Sequence, residues 1–67
     1  MTIELQAAGT APRLLTAGEA AAMLALREST LRDYARRGIV PAVKIGRHLR
    51  FVEADLIAYV DGLRTAG

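Results

Sequence analysis

Ser29-Thr30-Leu31-Arg32-Asp33-Tyr34-Ala35-Arg36-Arg37-Gly38-Ile39-Val40-Pro41-Ala42-Val43-Lys44-Ile45-Gly46-Arg47-His48-Leu49-Arg50-Phe51 decides the fold, because its hydrophobic period changes midway. In the first part Leu31, Tyr34 and Ala35 recur at i, i+3 and i+4, the spacing of one buried helix face. The spacing predicts a helix over roughly Glu28 to Arg37. Gly38 supplies a left-handed residue to end it, and Pro41 prevents its resumption. From Ala42 the period is two. Val43 and Ile45 point one way and Lys44 the other; past Gly46-Arg47-His48, Leu49 and Phe51 point one way and Arg50 the other. This reads as a β-hairpin with an apolar face and a basic face, turning at Gly46. A two-stranded hairpin is not stable alone, so its apolar face must lie on helices.

Working outward, Thr16-Ala17-Gly18-Glu19 fits a capping box, in which the Thr16 hydroxyl accepts from the Glu19 amide and the Glu19 carboxylate accepts from the Thr16 amide. A short alanine-rich helix follows, ending around Leu24, and Ala25-Leu26-Arg27 forms a tight connection to the second helix. On the other side, Val52 to about Leu63 makes a third helix. Its apolar stripe is Leu56, Ile57, Val60 and Leu63, flanked by Tyr59, with Glu53 and Asp55 in the first turn where carboxylates suit the helix dipole. Residues 1–13 contain Gly9, Thr10 and Pro12 without a sustained period and read as a flexible tail. The expected organisation is a tail over 1–13 and one domain over 14–64. The fold class is mainly α with a small β-hairpin, in the order helix, turn, helix, hairpin, helix.

Charge points to a function. Between Arg27 and Arg50 lie seven basic residues against two acids, Glu28 and Asp33, a net of +5; the rest of the chain, two Arg against five acids, nets −3, which leaves +2 for the 67 residues. A basic helix beside a basic hairpin on a small body is the electrostatic footprint of a duplex-DNA binder. Sixty-seven residues hold one small domain, and leave no room for an effector domain or a long dimerisation helix. Cysteine is absent, which excludes disulfides, thiol catalysis and Cys-based metal sites. One His and scattered acids make no metal site, and there is no nucleophile–base pair, so neither a catalytic residue nor a cofactor is expected. No apolar stretch is long enough to span a membrane, and Met1 to Leu5 carries an acid without a basic leader, so the expected location is the cytoplasm.

The candidate contacts fall into two groups, each with a plainer reading beside it. On the second helix, Ser29, Arg32, Asp33 and Arg36 lie opposite Leu31 and Tyr34 and are candidate major-groove readers, Arg through two hydrogen bonds to guanine. The plainer reading is a solvated face laced by Glu28–Arg32 and Asp33–Arg37 pairs, with Asp33 holding an Arg in place. Thr30 either donates to a phosphate or bonds the local backbone, and Arg37 either reaches phosphate or complements the helix dipole. In the hairpin, Lys44 and Arg50 share the polar face and Arg47 sits at the tip, suited to a narrow minor groove. The plainer reading there is protection of the strand edges by charge. His48 is a turn residue or a phosphate contact. Tyr34, Phe51 and Tyr59 read as core, which argues against a base-stacking platform for single strands.

Leu15-Thr16, Glu19-Ala20-Ala21 and Leu24, then Ser29-Thr30-Leu31, Gly38, Pro41-Ala42-Val43-Lys44-Ile45-Gly46-Arg47 and Arg50-Phe51, together resemble the excisionase family of small winged helix-turn-helix proteins, relatives of the DNA-binding domain of MerR-type regulators. The resemblance spans about Leu14 to Val60. Arg27 departs from it: the family usually has Ser before the second helix, and Arg carries no acceptor, so Glu28 or Ser29 takes over the cap. The resemblance implies a second helix in the major groove and a hairpin wing on the backbone or minor groove. It further implies binding to arrayed sites, bending, and an integrase turned toward excision, or else a small transcription regulator. Absence of a dimerisation helix favours several copies side by side, with head-to-tail self-association on DNA through the acidic residues Glu53, Asp55 and Asp61. A pure protein-interaction module is the reading from another class. It predicts binding that is flat in salt, where contact with about five phosphates gives a log–log slope near −4 to −5.

Overall fold

A computed structural model of the chain describes residues 12–66. The elements are β1 (Leu14–Leu15), α1 (Ala17–Leu24), α2 (Glu28–Arg36), β2 (Val43–Ile45), β3 (His48–Val52) and α3 (Glu53–Ala66). Three helices and one small antiparallel sheet make the arrangement of a winged helix-turn-helix.

The α1 start is the expected capping box. The Glu19 amide donates to the Thr16 hydroxyl at 3.1 Å and the Thr16 amide donates to the Glu19 carboxylate at 2.9 Å. α1 then stops within one residue, because Ala25 takes a left-handed conformation (φ 57, ψ 41) and its amide turns back to Ala21 and Ala22. Leu26 adds a second backbone bond to the Ala21 carbonyl at 2.9 Å. This three-residue turn aims α2 across α1. α2 begins at Glu28 with Arg27 as its N-cap and no side-chain capping bond, so neither Glu28 nor Ser29 takes over that role. At its other end Gly38 (φ 74) lets the amides of Gly38 and Ile39 bond the Ala35 and Tyr34 carbonyls at 3.1 and 2.8 Å.

The sheet has three strands in the order β1-β3-β2, all antiparallel. β1, two residues long, pairs Leu14 with Val52 and Leu15 with Phe51. Just before it, the Arg13 carbonyl accepts from the Glu53 amide at 2.9 Å. That bond ties down the last member of the expected tail, whose residues 1–11 lie outside the described residues.

The core is Leu15, Ala17, Ala20, Ala21, Leu31, Val40, Phe51 and Leu56, with Leu24, Tyr34, Ala35, Ala42, Leu49 and Tyr59 packed against it. Three alanines line the α1 side of this core, which lets α2 approach closely. α3 differs from the expected stripe. It runs through Gly62 to Ala66; Leu56 is buried and Tyr59 and Val60 are half-buried, whereas Ile57 and Leu63 are 51% and 56% exposed. Ile57, about 100° around the helix from Leu56, is at the edge of the stripe, and Leu63 lies past the stretch that the body covers; a 3.6-residue period fixes neither limit.

Candidate nucleic-acid interface

Two elements build the basic surface. α2 presents Ser29, Arg32, Arg36 and Arg37 as exposed residues, with Thr30 and Asp33 half-buried. The wing contributes Lys44, Arg47 and His48, all exposed, and the half-buried Arg50. Between helix and wing lies an open groove of about 480 Å³, lined by Arg32, Ala35, Arg36, Ala42, Lys44, Arg47 and Leu49. Four cations and three apolar side chains thus share one concave surface. Ser29, Thr30, Asp33, Arg37, His48 and Arg50 do not line it.

The wing corrects one expectation. Gly46 and Arg47 form a two-residue turn, with Gly46 at φ 62, so Ile45 stands opposite His48, Lys44 opposite Leu49 and Val43 opposite Arg50. Residues opposite one another point to the same face of a sheet. Lys44 therefore shares a face with Leu49, towards α2, while Arg50 shares the outer face with Val43 and Ile45. Lys44 and Arg50 do not share a polar face, and Val43 and Ile45 do not pack on the helices: they are 36% and 50% exposed. A two-residue loop reverses the parity between strands, and counting alternation within each strand alone misses that reversal. Arg50 donates to the Leu49 carbonyl at 2.8 Å on the half-buried outer face.

On α2 every arginine has a carboxylate partner in its own helix. Arg32 donates through Nε and Nη2 to Glu28 Oε2 at 3.2 and 2.8 Å. Asp33 accepts from Arg36 Nη2 at 3.1 Å and from Arg37 Nη1 at 2.9 Å. The hydrogen bond from Arg37 holds the Asp33 carboxyl below the ordinary carboxylate range, with Arg36 adding to the effect. On the wing side, Lys44, Arg47 and Arg50 take part in no ion pair among the described residues, and neither does Arg27. Glu28 is also close to α1: a Cβ added at Gly18 would come within 3.3 Å of Glu28 Oε1.

Ala35, Ala42 and Leu49 are the groove residues that sequence reading missed. Ala42 and Leu49 become visible once the hairpin is paired through its two-residue turn. Among the described residues no group of three or more His, Cys, Asp or Glu is placed to hold a metal ion, and no helix is long and apolar enough to cross a membrane.

A family model described as a helix-turn-helix domain matches residues 14–64. No curated protein and no solved structure matches the chain.

Proposed function

The chain belongs to the helix-turn-helix domain family, which includes excisionase-like DNA-binding domains, and from that premise we propose that it is an excisionase-type architectural factor. It binds specific duplex sites, with α2 in the major groove and the wing on the flanking backbone or minor groove. Several copies assemble head-to-tail on neighbouring sites, bend the DNA and direct an integrase toward excision. The family is typically non-enzymatic, and the mechanism is assembly rather than bond chemistry.

The observation that carries this reading is the groove between α2 and the wing, where Arg32, Arg36, Lys44 and Arg47 converge. Lys44 and Arg47 have no acidic partner among the described residues, so their charge is available to phosphates. Arg32 and Arg36 offer the guanidinium fork that matches guanine O6 and N7. Ser29 and Thr30 at the start of α2, Arg37 at its end and His48 beside the wing tip serve as outlying contacts. Several copies suit the footprint: one such module buries only about 600–1,000 Å² against DNA, and neighbours on adjacent sites raise each other's effective concentration.

A gel-shift titration tests this, using duplex taken from beside the chain's own gene with the candidate site at the centre or the end. Stepwise cooperative complexes that migrate more slowly when the site is central are the expected result. A single symmetric complex with no effect of position would point instead to a small transcription regulator. No complex at low salt would remove the DNA reading itself.

A further inference from the structure

We propose that Glu28 and Asp33 set the DNA selectivity of α2, by holding its three arginines in ion pairs that random duplex does not displace and a matching site does. This inference rests on the DNA-binding reading above and assigns a role to its two acidic residues.

The geometry divides the basic surface into two classes. Lys44 and Arg47 are free of carboxylates, and with Arg27 they attract any duplex. Arg32, Arg36 and Arg37 are engaged: Glu28 takes two donors of the Arg32 fork, and Asp33 takes one donor each from Arg36 and Arg37. Arg32 and Arg36 also line the groove, so two of the three engaged residues stand where base edges would arrive.

A phosphate is a poor competitor for these arginines. Its oxygens match the Arg fork as a carboxylate's do, but its negative charge is brought toward Glu28 and Asp33, which repel it. A guanine edge in register offers two fixed acceptors that match the guanidinium plane, and it carries no net charge to be repelled. The carboxylates thus weaken binding wherever only backbone is available, and weaken it far less where the bases fit. Glu28 is well placed for this because Gly18, having no side chain, leaves room for Oε1 against the first turn of α1. The half-buried Asp33 is held ionised by its two partners.

The test compares the full chain with Glu28→Gln and Asp33→Asn on two duplexes: the one that the wild type enriches from a randomised pool, and a scrambled duplex of equal length. Asp61→Asn is the control, read on duplexes that hold a single site, where the head-to-tail contacts assigned to Asp61 do not form. It removes the same charge from an ion pair, with Arg64 at 3.4 Å, on α3 and away from the groove. The expected result is about a fivefold gain on scrambled duplex for each α2 variant, from removal of one nearby like charge. The log–log salt slope there should steepen by about 0.9 for each arginine freed to a phosphate. Affinity for the enriched duplex should move less than about twofold, so the specificity ratio falls. Circular dichroism melts should stay close to wild type, since an exposed i,i+4 pair contributes little. Equal gains on both duplexes, as expected of Asp61→Asn, would overturn the inference, as would a loss on both. Binding by the wild type with no enriched sequence would overturn it as well, because there would be no selectivity to set. Absence of any duplex binding by the wild type would instead remove the reading on which it rests.

Discussion

At the scale of single residues, the positions that matter most are those that start and stop helices. Thr16 satisfies an α1 amide that has no intrahelical partner, so Thr16→Ala should cost about 1 kcal/mol, within the usual range for a lost N-cap, read as a lower urea midpoint. Its partner gives a pH signature. The Thr16 amide holds the Glu19 carboxyl below its ordinary 4.5, and Arg37 holds Asp33 below its ordinary 3.8. A carboxylate whose folded pKa is depressed contributes stability that is full above the unfolded value and is lost as pH falls through the folded one. The urea midpoint should therefore be flat from neutral pH down to about 4.5 and fall below that, with a smaller acid loss in Glu19→Gln. Two turn residues make an opposed pair. Gly38 and Ala25 both have positive φ, 74 and 57, but only Gly38 adopts it without a Cβ penalty. Gly38→Ala should lower stability by about 1 kcal/mol, although nothing lies within 4 Å of the added carbon. Ala25→Gly should raise it by about 0.5 kcal/mol, the left-handed strain relieved outweighing the added chain entropy. Equal signs in a thermal melt would contradict the assignment of strain to Ala25.

At the scale of elements, register decides what the wing offers. Lys44 stands opposite Leu49 on the face towards α2, while Arg50 stands opposite Val43 on the outer face and donates to the Leu49 carbonyl. Lys44→Ala should thus weaken duplex binding and reduce the salt slope by about 0.9, the loss of one phosphate contact, whereas Arg50→Ala should leave the slope unchanged. A gel-shift series in salt reads both; equal slopes for the two variants would argue that both faces of the wing meet DNA. The same strands mark the limits of sequence reading. α1 and α2 were legible because each has a local signature: the capping box at Thr16 for the first, the i, i+3, i+4 stripe at Leu31 and the glycine at position 38 for the second; α3 was legible as a helix, but not which of its apolar side chains the body covers. The hairpin was legible as a hairpin, yet its faces were not, because face depends on the number of turn residues, and Gly46-Arg47-His48 was read as the turn where His48 already pairs with Ile45. β1 was missed because two residues are too few to show a period of two. The basic cluster between Arg27 and Arg50 was plain in the sequence. The pairs Glu28–Arg32 and Asp33–Arg37 were legible from their i, i+4 spacing and are present; that Arg36 shares Asp33, and that the wing cations have no acidic partner among the described residues, required the fold, since side-chain pairing depends on rotamers as well as spacing.

At the scale of the molecule, the core is small enough that one residue governs whether there is a fold at all. A domain with 55 described residues has a net stability of about 3–8 kcal/mol, at about 0.05–0.15 kcal/mol per residue. Phe51, Leu31 and Leu56 are its largest fully buried side chains. Phe51 sits on β3 with Leu15 of β1 as its partner, on the inner face of the sheet, and so joins the wing to the helices. Removing it takes away the largest apolar surface of the core and leaves a cavity that a small domain cannot fill, at a cost of about 3–5 kcal/mol. That is comparable with the whole stability, so Phe51→Ala should be largely unfolded at 25 °C by far-UV circular dichroism. Leu63→Ala is the contrasting case. It removes a side chain of similar hydrophobic character from a site 56% exposed on α3, and should change stability by less than about 0.5 kcal/mol. If Phe51→Ala keeps a cooperative melt near that of wild type, the wing is not held by the core described here. If Leu63→Ala proves as damaging as a core substitution, the exposed end of α3 carries a contact that the folded monomer alone does not supply. The two variants together therefore separate the part of the apolar surface that folds the chain from the part that folding leaves uncovered.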